Sequence, residues 1–410
     1  MSTSPPTTDV RYDPYDVDID DDPYPTWTRL RDEAPLYWNA EHGFWALSRW
    51  DDVRPALVDW ETYRSGRGTV LEIVKAGVEI PPGILLFEDP PIHDAHRALM
   101  SRVFTPGRML DLEPLVRGYA VQALDALLGR EEFDIIADFG VELPLRTIGY
   151  LFGIPEADQD VYRKATDDAI TTDGTPIEFD QSSFDAVLAV LGEYVEWRSK
   201  NPGDDLMTEL LNAEVDEPDG SRRPLTRDEV VTYASMIAGA GNETATRLIG
   251  FTMQLLAQHP DERRLLVEDP SLVPNAIEEI LRLESPSPVQ ARWVQHDVEV
   301  LGTTVPEGSI MLLLNGAANR DERHWANPNR LDLHRDEGPH LSFGYGLHFC
   351  LGAALARLEG RVALEEILRR WPDWDVDVDR GQMAHTASVR GWGYLPVHPN
   401  HLPNGARSRS

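Results

Sequence analysis

The sequence predicts a mainly α-helical protein with a small amount of β-structure. Apolar residues recur three and four positions apart over long stretches, most clearly between residues 226–259 and 351–371, and this spacing is typical of packed helices. Only short segments alternate as strands do. The chain has 410 residues, of which 41% are hydrophobic, and this is enough for a large core. Without a repeat or a long linker to divide it, we expect one domain.

The N-terminal half predicts short elements that are separated by loops. We expect a flexible acidic segment over residues 1–21, the domain itself over 22–398, and a flexible tail over 399–410. Phe44 to Leu47 predict the second strand of a hairpin that turns at residues 41–43. Residues 64–88 contain several Gly and Pro and predict a loop with little regular structure. Helices are predicted over residues 50–57, from 93 onward, and over 109–130, 144–152 and 182–199.

The C-terminal half predicts longer helices. Thr226 is a candidate N-cap, and Glu229 three residues later completes a capping box, so a helix is expected to begin here and continue to about residue 259. Another helix ends before the Pro-rich segment 285–288, since proline stops helices. Strands are predicted over residues 298–301 and 310–314, on either side of a turn at 306–308.

A single cysteine lies in a glycine-rich loop, Phe343 to Gly352, just before the last long helix. A lone cysteine is more often a small buried hydrophobic residue than a ligand. However, a helix N-terminus carries partial positive charge and free N–H groups, which lower the pKa of a nearby thiol and favour the thiolate as a metal ligand. Glycines let the backbone approach a flat group that such a sulfur binds.

This loop, in letters FGYGLHFCLG, resembles the haem-binding loop of the cytochrome P-450 family of haem-thiolate monooxygenases. The resemblance implies the fold of that family, in which haem lies between a long central helix and the helix after the cysteine. It implies haem b, iron protoporphyrin IX, as the cofactor and Cys350 as the axial ligand of its iron. It also implies that the remaining loop residues with a role in cofactor binding are Phe343, Gly344, His348 and Gly352.

The predicted long helix contains an unusual run of small residues followed by an acid and a hydroxyl, Ala238 to Thr244. Glycine costs about 1 kcal/mol relative to alanine inside a helix. One interpretation is therefore a close helix contact at Gly239 and Gly241. The run also resembles the oxygen-activation segment of the cytochrome P-450 family. That resemblance implies that Thr244 hydrogen-bonds dioxygen and its water, and that Glu243 relays protons inward.

Glu279 and Arg282 lie three residues apart and so share one helix face. Taken alone, such a pair is usually an exposed ion pair of small energy. By resemblance to the Glu-x-x-Arg of the family, it forms a buried structural network with an Arg or His from residues 329–335.

Cationic residues occur at points where the family contacts the haem propionates. His93 and Arg97 are spaced to project from one helix face, Arg292 follows the Pro-rich segment, and His340 precedes the cysteine loop. For any one of them a solvated surface charge is the simpler reading. Because all four residues occur in the same order as in the family, the resemblance implies that they bind the haem propionates.

The substrate pocket is expected in the 64–88 loop, the segment 165–190, the central helix and the stretch after Arg282. Mostly apolar side chains are predicted there, which favours an apolar substrate such as a terpenoid, steroid, fatty acid or polyketide. The pocket residues predicted in this way are Ile237, Ala240, Gly241, Val289, Gln290 and Leu85.

The amino-acid composition disfavours some classes of binding partner and indicates the cellular compartment. The formal net charge is −32, from 38 Lys and Arg against 70 Asp and Glu, which disfavours nucleic acid and anionic membranes. One cysteine excludes an intrachain disulfide and fits a reducing cytoplasm. No stretch reads as a signal peptide or spanning helix, so we expect a soluble, cytoplasmic monomer of bacterial type.

The resemblance implies a monooxygenase that uses dioxygen and two electrons. No dinucleotide-binding fingerprint is present, so the electrons are expected to come from NAD(P)H through a separate ferredoxin reductase and a ferredoxin. A basic patch for this partner is expected near Arg357, Arg361, Arg369 and Arg370. Two alternatives stay open: a haem protein that binds without turnover, and a haem-free thiol hydrolase that uses Cys350 and His348.

Overall fold

A long helix, Arg227–Gln258, runs through the molecule and packs against helices on several sides in the computed structural model. The structure describes residues 8–78, 80, 83–102, 104–155, 181–216, 220–336, 338–386 and 388–400. Part of the predicted substrate segment, residues 165–180, lies outside these ranges, as do both extreme ends of the chain. The expectation of a mainly helical protein with minor β-structure is confirmed.

The α-helices of the described residues are numbered in chain order. They are α1 Val17–Asp21, α2 Tyr24–Glu33, α3 Trp50–Val58, α4 Leu71–Ala76, α5 Ile92–Ser101, α6 Pro106–Asp125, α7 Glu142–Leu151, α8 Gln181–Lys200, α9 Leu206–Leu211, α10 Arg227–Gln258, α11 Pro260–Glu268, α12 Val273–Leu283, α13 Asn315–Ala318 and α14 Ala353–Arg370. Single 3₁₀ turns cover Leu85–Phe87, Pro270–Leu272 and Gly346–His348, and a π-helical turn covers Ile136–Gly140.

The strands are short. They are β1 Leu36–Asn39, β2 Phe44–Leu47, β3 Tyr63–Arg64, β4 Phe133–Asp134, β5 Glu214–Asp216, β6 Arg222–Pro224, β7 Gln290–Val294, β8 Val298–Val300, β9 Thr303–Val305, β10 Ile310–Leu313, β11 Trp374–Val376, β12 Gln382–His385, β13 Arg390–Tyr394 and β14 Pro396–Pro399. The largest sheet has the order β1-β2-β10-β7-β3, and a smaller sheet has the order β11-β14-β4. The pairs β12-β13, β5-β6 and β8-β9 are two-stranded.

Local signals in the sequence predicted several of these elements correctly. Thr226 caps α10, and Glu229 returns the bond to the backbone of Thr226, which completes the predicted capping box. The hairpin of β1 and β2 is antiparallel and turns at Gly43, whose φ of +71° suits glycine. Helices α3 and α5 lie where the apolar spacing predicted them, and α12 ends before the Pro-rich segment as expected.

The two strands predicted on either side of residues 306–308 are present, but they do not pair with each other. The strand Val298–Val300 pairs with Thr303–Val305, whereas Ile310–Leu313 pairs with β2 and β7 in the large sheet. The reason is a two-residue turn at Leu301 and Gly302, both with positive φ, which closes a tight hairpin before residue 306 is reached. Residues 64–88, predicted as a loop with little regular structure, contain the six-residue helix α4.

Residues 8–21, which belong to the segment expected to be flexible, make contacts with the large sheet. Tyr12 is 4% exposed and packs edge-to-face on Phe44 at a ring distance of 6.2 Å. The amide of Asn39 in β1 donates to the carbonyl oxygen of Tyr12 at 2.9 Å. These contacts bring the N-terminal segment over one face of the sheet.

The helices α7, α10, α12 and α14 surround the main hydrophobic core. Helix α14 packs against α6, α10 and α12, so it is held on three sides. This arrangement fixes the start of α14, and with it the cysteine loop, against the middle of α10. Among the described residues, no helix is both long and apolar enough to cross a membrane.

Candidate functional site

The cysteine loop ends directly before α14 and is shaped by two glycines with positive φ. Gly344 has φ +68° and Gly346 has φ +71°. A Cβ on Gly346 would also lie 3.1 Å from the carbonyl oxygen of Leu57, so the loop could not approach α3 with a larger residue there. The backbone N–H of Cys350 donates to the carbonyl oxygen of Phe343 at 2.8 Å, which closes the loop. The local sequence therefore fixes the position of the sulfur.

The thiol of Cys350 is in a desolvated position. Burial raises its pKa, while the backbone N–H of Gly352 and the charges of Arg97 and Arg357 act in the opposite direction. The sequence argument expected a lowered pKa from the helix N-terminus, and this expectation is wrong for the chain on its own. The reason is that burial outweighs the loop dipoles. A cation placed on the sulfur would supply the missing stabilisation of the thiolate.

A cavity that is partly open to solvent lies between the middle of α10 and the start of α14. We call it the cysteine cavity. Of the predicted pocket residues, Leu85, Ile237, Ala240 and Gly241 line it. Cys350 and Gly352 also line it. Arg97 and His348 are lining residues that carry a charge or can titrate. The two motifs that lie about a hundred residues apart in the sequence thus share one cavity.

Other residues of this cavity were not predicted. Phe104, Ile148, Met236 and Leu355 line it as well, and they come from different helices or the loops between them. Of the remaining predicted pocket residues, Val289 lines a second cavity, and the side-chain oxygen of Gln290 accepts a hydrogen bond from Arg292 at 2.9 Å. Helical periodicity identifies Ile148 and Met236 as apolar positions, but only the tertiary fold brings them to this cavity.

One of the small residues of α10 allows a close contact with a neighbouring helix. A Cβ on Gly241 would lie 3.0 Å from Cδ1 of Ile148 in α7, whereas a Cβ on Gly239 would meet nothing within 4 Å. The close-contact interpretation therefore holds for Gly241 and not for Gly239. Gly241 also lines the cysteine cavity, so the same glycine permits the helix contact and leaves room beside Cys350.

Glu243 and Thr244 follow this glycine on α10. The hydroxyl of Thr244 donates to the carbonyl oxygen of Ala240 at 2.9 Å, which leaves its oxygen lone pairs available as acceptors. Glu243 pairs with Arg247 at 3.0 Å, and the side chain of Glu243 is 16% exposed. Arg247 is itself fixed by the carbonyl oxygen of Trp392 at 2.5 Å. Glu243 is therefore held in place yet keeps some contact with solvent.

Three of the four predicted cationic residues, His93, Arg97 and Arg292, gather around His348. The rings of His93 and His348 are 4.6 Å apart, and the pKa of His348 is lowered to about 3 by burial and by the neighbouring charges of Arg292, His93 and Arg97. Arg292 is 2% exposed, and burial lowers its pKa to about 10. Its guanidinium donates to the carbonyl oxygen of Ala291 and to the amide of Gln290, neither of which carries a charge.

Orphaned nitrogens complete this cluster. Nε2 of His93 and Nε2 of His348 are buried and have no hydrogen-bond partner among the described residues. Burial also lowers the pKa of Arg97, and the nearby thiolate of Cys350 acts in the opposite direction. Buried cations and donors without acceptors are costly, and an anionic ligand would remove that cost. The set therefore fits a group that carries carboxylates.

His340, also predicted here, has a different environment. Its Nδ1 accepts from the backbone N–H of Ser342 at 3.1 Å, and its Nε2 lies 3.4 Å from a carboxylate oxygen of Glu278. The ring lies 5.5 Å from that of Phe343. Phe343 in turn lies under the guanidinium of Arg357, at 4.6 Å from the ring centre. These residues buttress the cysteine loop on the side away from α10.

Glu279 and Arg282 form a buried ion pair, as the resemblance implied. Nε and Nη2 of Arg282 donate to the two carboxylate oxygens of Glu279 at 2.7 and 2.8 Å. Arg335 is the third member, with Nε at 3.0 Å from Glu279, and it was among the predicted partners. Glu279 is 3% and Arg282 1% exposed, and Arg282 also donates to the carbonyl oxygens of Asn319 and Pro328. Every charge in this network has a partner.

Comparison with known proteins gives consistent results. A family model described as Cytochrome P450 matches residues 134–387. The putative cytochrome P450 123 of Mycobacterium tuberculosis is 38% identical over 391 residues, which cover 94% of this chain and 96% of that protein. Vitamin D(3) 25-hydroxylase of Pseudonocardia autotrophica is 35% identical and covers 92% of this chain and 93% of its own length. The solved structure of cytochrome P450 CYP109Q5 from Chondromyces apiculatus has a TM-score of 0.83 at 32% identity, covering 95% of this chain and 98% of that one.

Proposed function

The chain belongs to the cytochrome P450 family of haem-binding monooxygenases, and we propose that it inserts one oxygen atom from dioxygen into an apolar small molecule. The electrons would come from NAD(P)H through a ferredoxin reductase and a ferredoxin. The observation that carries this proposal is the cysteine cavity, because it sets a fixed thiol, a glycine of the central helix and the guanidinium of Arg97 around one space.

Of the residues that would hold haem, Cys350, Gly352, Arg97 and His348 line this cavity. Cys350 would be the axial ligand, and Gly344 and Gly352 let the backbone of the loop lie close to the ring. Arg97, Arg292 and His93 would hold the propionates, since charge-assisted hydrogen bonds to carboxylates are the strong ones. We assign the remaining cofactor-binding roles to the loop and its support, namely to His340, Phe343 and His348.

When bound, haem supplies the iron at which dioxygen is activated, and thiolate ligation favours cleavage of the O–O bond. Dioxygen, two electrons, two protons and the substrate yield a hydroxylated product and one water. The chain must therefore deliver protons to an otherwise apolar cavity. We propose that Thr244 accepts a hydrogen bond from a water and that Glu243, which is partly exposed, passes protons from solvent toward it.

An apolar substrate is supported by the lining of the cysteine cavity. Its side chains are mainly aliphatic or aromatic, with Arg97 and His348 at the edge that we assign to the cofactor. Terpenoids, steroids, fatty acids and polyketides all meet this requirement. The relative named vitamin D(3) 25-hydroxylase puts vitamin D(3) first among compounds to test.

We propose that ferredoxin binds on the side of the cysteine loop that faces away from α10. A surface hollow of about 1210 Å³ lies there, lined by Met109, Leu110, Arg357 and Arg361 among others. The side chain of Arg357 is 40% exposed but pairs with Glu278, and Arg361 pairs with Glu113. Arg369 and Arg370 both pair with Glu366. Partner binding must therefore exchange existing ion pairs, which makes it sensitive to salt.

The test is turnover of the purified protein with NADPH, a ferredoxin, its reductase and vitamin D(3) under ¹⁸O₂, followed by a wider set of apolar compounds. The proposal predicts a product that has gained one labelled oxygen atom and whose formation requires ferredoxin. A Cys350→Ser variant is the control and should yield none. Oxygen in the product that comes from water would contradict the monooxygenase reaction. Tight haem binding without product from any compound would favour a carrier.

A further inference from the structure

A second cavity, partly open to solvent, lies between the N-terminal segment and the large sheet. We call it the amino-terminal cavity. Tyr12 and Trp27 line it from the N-terminal side, and Glu72 lines it from α4. Its remaining walls include strand residues of β7 and β10. Val289, a predicted substrate-pocket residue, lines this cavity, but no residue that lines the cysteine cavity does.

Strand β7 separates the two cavities. Successive side chains of a strand point to opposite faces. Ala291, together with Leu312 directly opposite it on β10, lines the amino-terminal cavity. Arg292 follows Ala291 on the strand and belongs to the cation cluster at the cysteine cavity. A molecule in the amino-terminal cavity thus lies across the strand from the residues that we assign to haem.

Glu72 is the unusual residue of this cavity. It is 8% exposed, and its Oε2 is buried without a hydrogen-bond donor among the described residues. Burial raises its pKa, and the effects in the other direction come from its backbone N–H, a hydrogen bond from the hydroxyl of Tyr15, and the charge of Lys75. A buried carboxyl oxygen with no donor is costly, and a cationic donor in the cavity would satisfy it.

The other charged residues of the cavity are already engaged. The carboxylate of Asp20 accepts from His385 at 2.7 Å. Arg390 donates to Glu284 at 2.8 Å and to the carbonyl oxygens of Asp20 and Asp21. Asp13 lies 3.2 Å from His42. Among the described lining residues, Glu72 is therefore the one whose carboxyl still has an open acceptor position.

We propose that the amino-terminal cavity binds a small organic cation with N–H donors, whose ammonium or guanidinium group donates to Glu72. The aromatic side chains of Tyr12 and Trp27 and the apolar pair Ala291 and Leu312 provide a surface for the body of such a ligand. A lipophilic amine or guanidine has this combination of one charged end and an apolar remainder. Binding of such a ligand does not depend on the reaction at the cysteine cavity.

Isothermal titration calorimetry with benzylguanidinium tests it on the purified full-length protein with its haem. Benzylurea is the matched probe, because it has nearly the same shape and no charge. Benzylguanidinium should bind about tenfold or more tightly than benzylurea, since hydrogen bonds to a buried charge are worth more than neutral ones. Saturating imidazole, which ligates haem iron, should leave that affinity unchanged.

The Glu72→Gln variant should weaken benzylguanidinium binding about tenfold or more and should leave benzylurea binding unchanged. Glu33→Gln removes one negative charge from an exposed pair with Arg29 and serves as the control, with no change expected. Equal binding of the two probes to the unmodified protein would overturn the proposal even if Glu72→Gln did not fold. So would equal affinity in Glu72→Gln, or competition by imidazole.

Discussion

Two buried clusters of charged residues differ in whether each charge has a partner, and this difference distinguishes a structural network from a ligand site. In the network of Glu279, Arg282 and Arg335, each charge has an opposite charge or a carbonyl oxygen at 2.7–3.1 Å. Around His348, by contrast, Arg292 has only uncharged acceptors and Nε2 of His93 has no partner among the described residues. A complete buried network stabilises the fold, whereas an incomplete one indicates a missing anion.

The largest expected effect is on the complete network. Glu279→Ala leaves two buried guanidinium groups without their carboxylate, which should lower the free energy of unfolding by about 3–5 kcal/mol. Urea unfolding followed by circular dichroism measures this. Glu33→Ala breaks an exposed ion pair and should cost less than about 1 kcal/mol. Similar losses in the two variants would show that the buried network is not structural.

Removing a charge from the incomplete cluster should have little effect on stability and a large effect on haem binding. Arg292→Met removes a buried cation that lacks a charged partner, so stability without haem should change by about 1 kcal/mol or less. Haem binding should weaken about tenfold or more, because a charge-assisted bond to a propionate is lost. Transfer of haem to excess apomyoglobin gives the rate of loss.

Arg263→Met is the matched comparison for that measurement. Arg263 is also buried, but it pairs with Asp373 and donates to the carbonyl oxygen of Trp374, away from the cysteine cavity. It should lose stability and retain haem at nearly the normal rate. If Arg292→Met lost stability like Arg263→Met and kept its haem, the cation cluster would be structural after all.

The smallest effect on stability is expected at Thr244. Thr244→Ala removes one hydroxyl that donates to a helix carbonyl, so stability should change by about 1 kcal/mol or less. The reaction should nevertheless uncouple, with NADPH consumed and hydrogen peroxide released in place of product. Thr252→Ala removes the same kind of bond, to Leu248 at 2.7 Å, further along α10. Coupling that fell equally in both variants would remove Thr244 from the proton path.

Features that depend on neighbouring residues were predictable from the sequence. The capping box at Thr226, the hairpin that turns at Gly43 and the glycine-rich loop before α14 all depend on local backbone conformations. The resemblance to a known family added the long-range arrangement of α10 and Cys350. Together these predicted a cavity between α10 and the cysteine loop and part of its lining, including Ile237 and Gly241.

The remaining features depend on tertiary contacts or on turn chemistry that was overlooked. Ile148 reaches the cysteine cavity only because α7 packs on α10. Val289 lines the amino-terminal cavity because of its position directly before β7. The hairpin at Leu301 was missed because a non-glycine residue with positive φ, here +50°, is uncommon. The raised pKa of Cys350 reflects burial, which the loop sequence alone does not reveal.

The central claim is that Cys350 and the cation cluster together form a haem-thiolate site. The most direct test is the carbon monoxide difference spectrum of the purified, reduced protein. The account predicts the red-shifted Soret band that is typical of thiolate-ligated haem, and loss of that band in Cys350→Ser. A colourless protein, or a band typical of histidine-ligated haem, would contradict it.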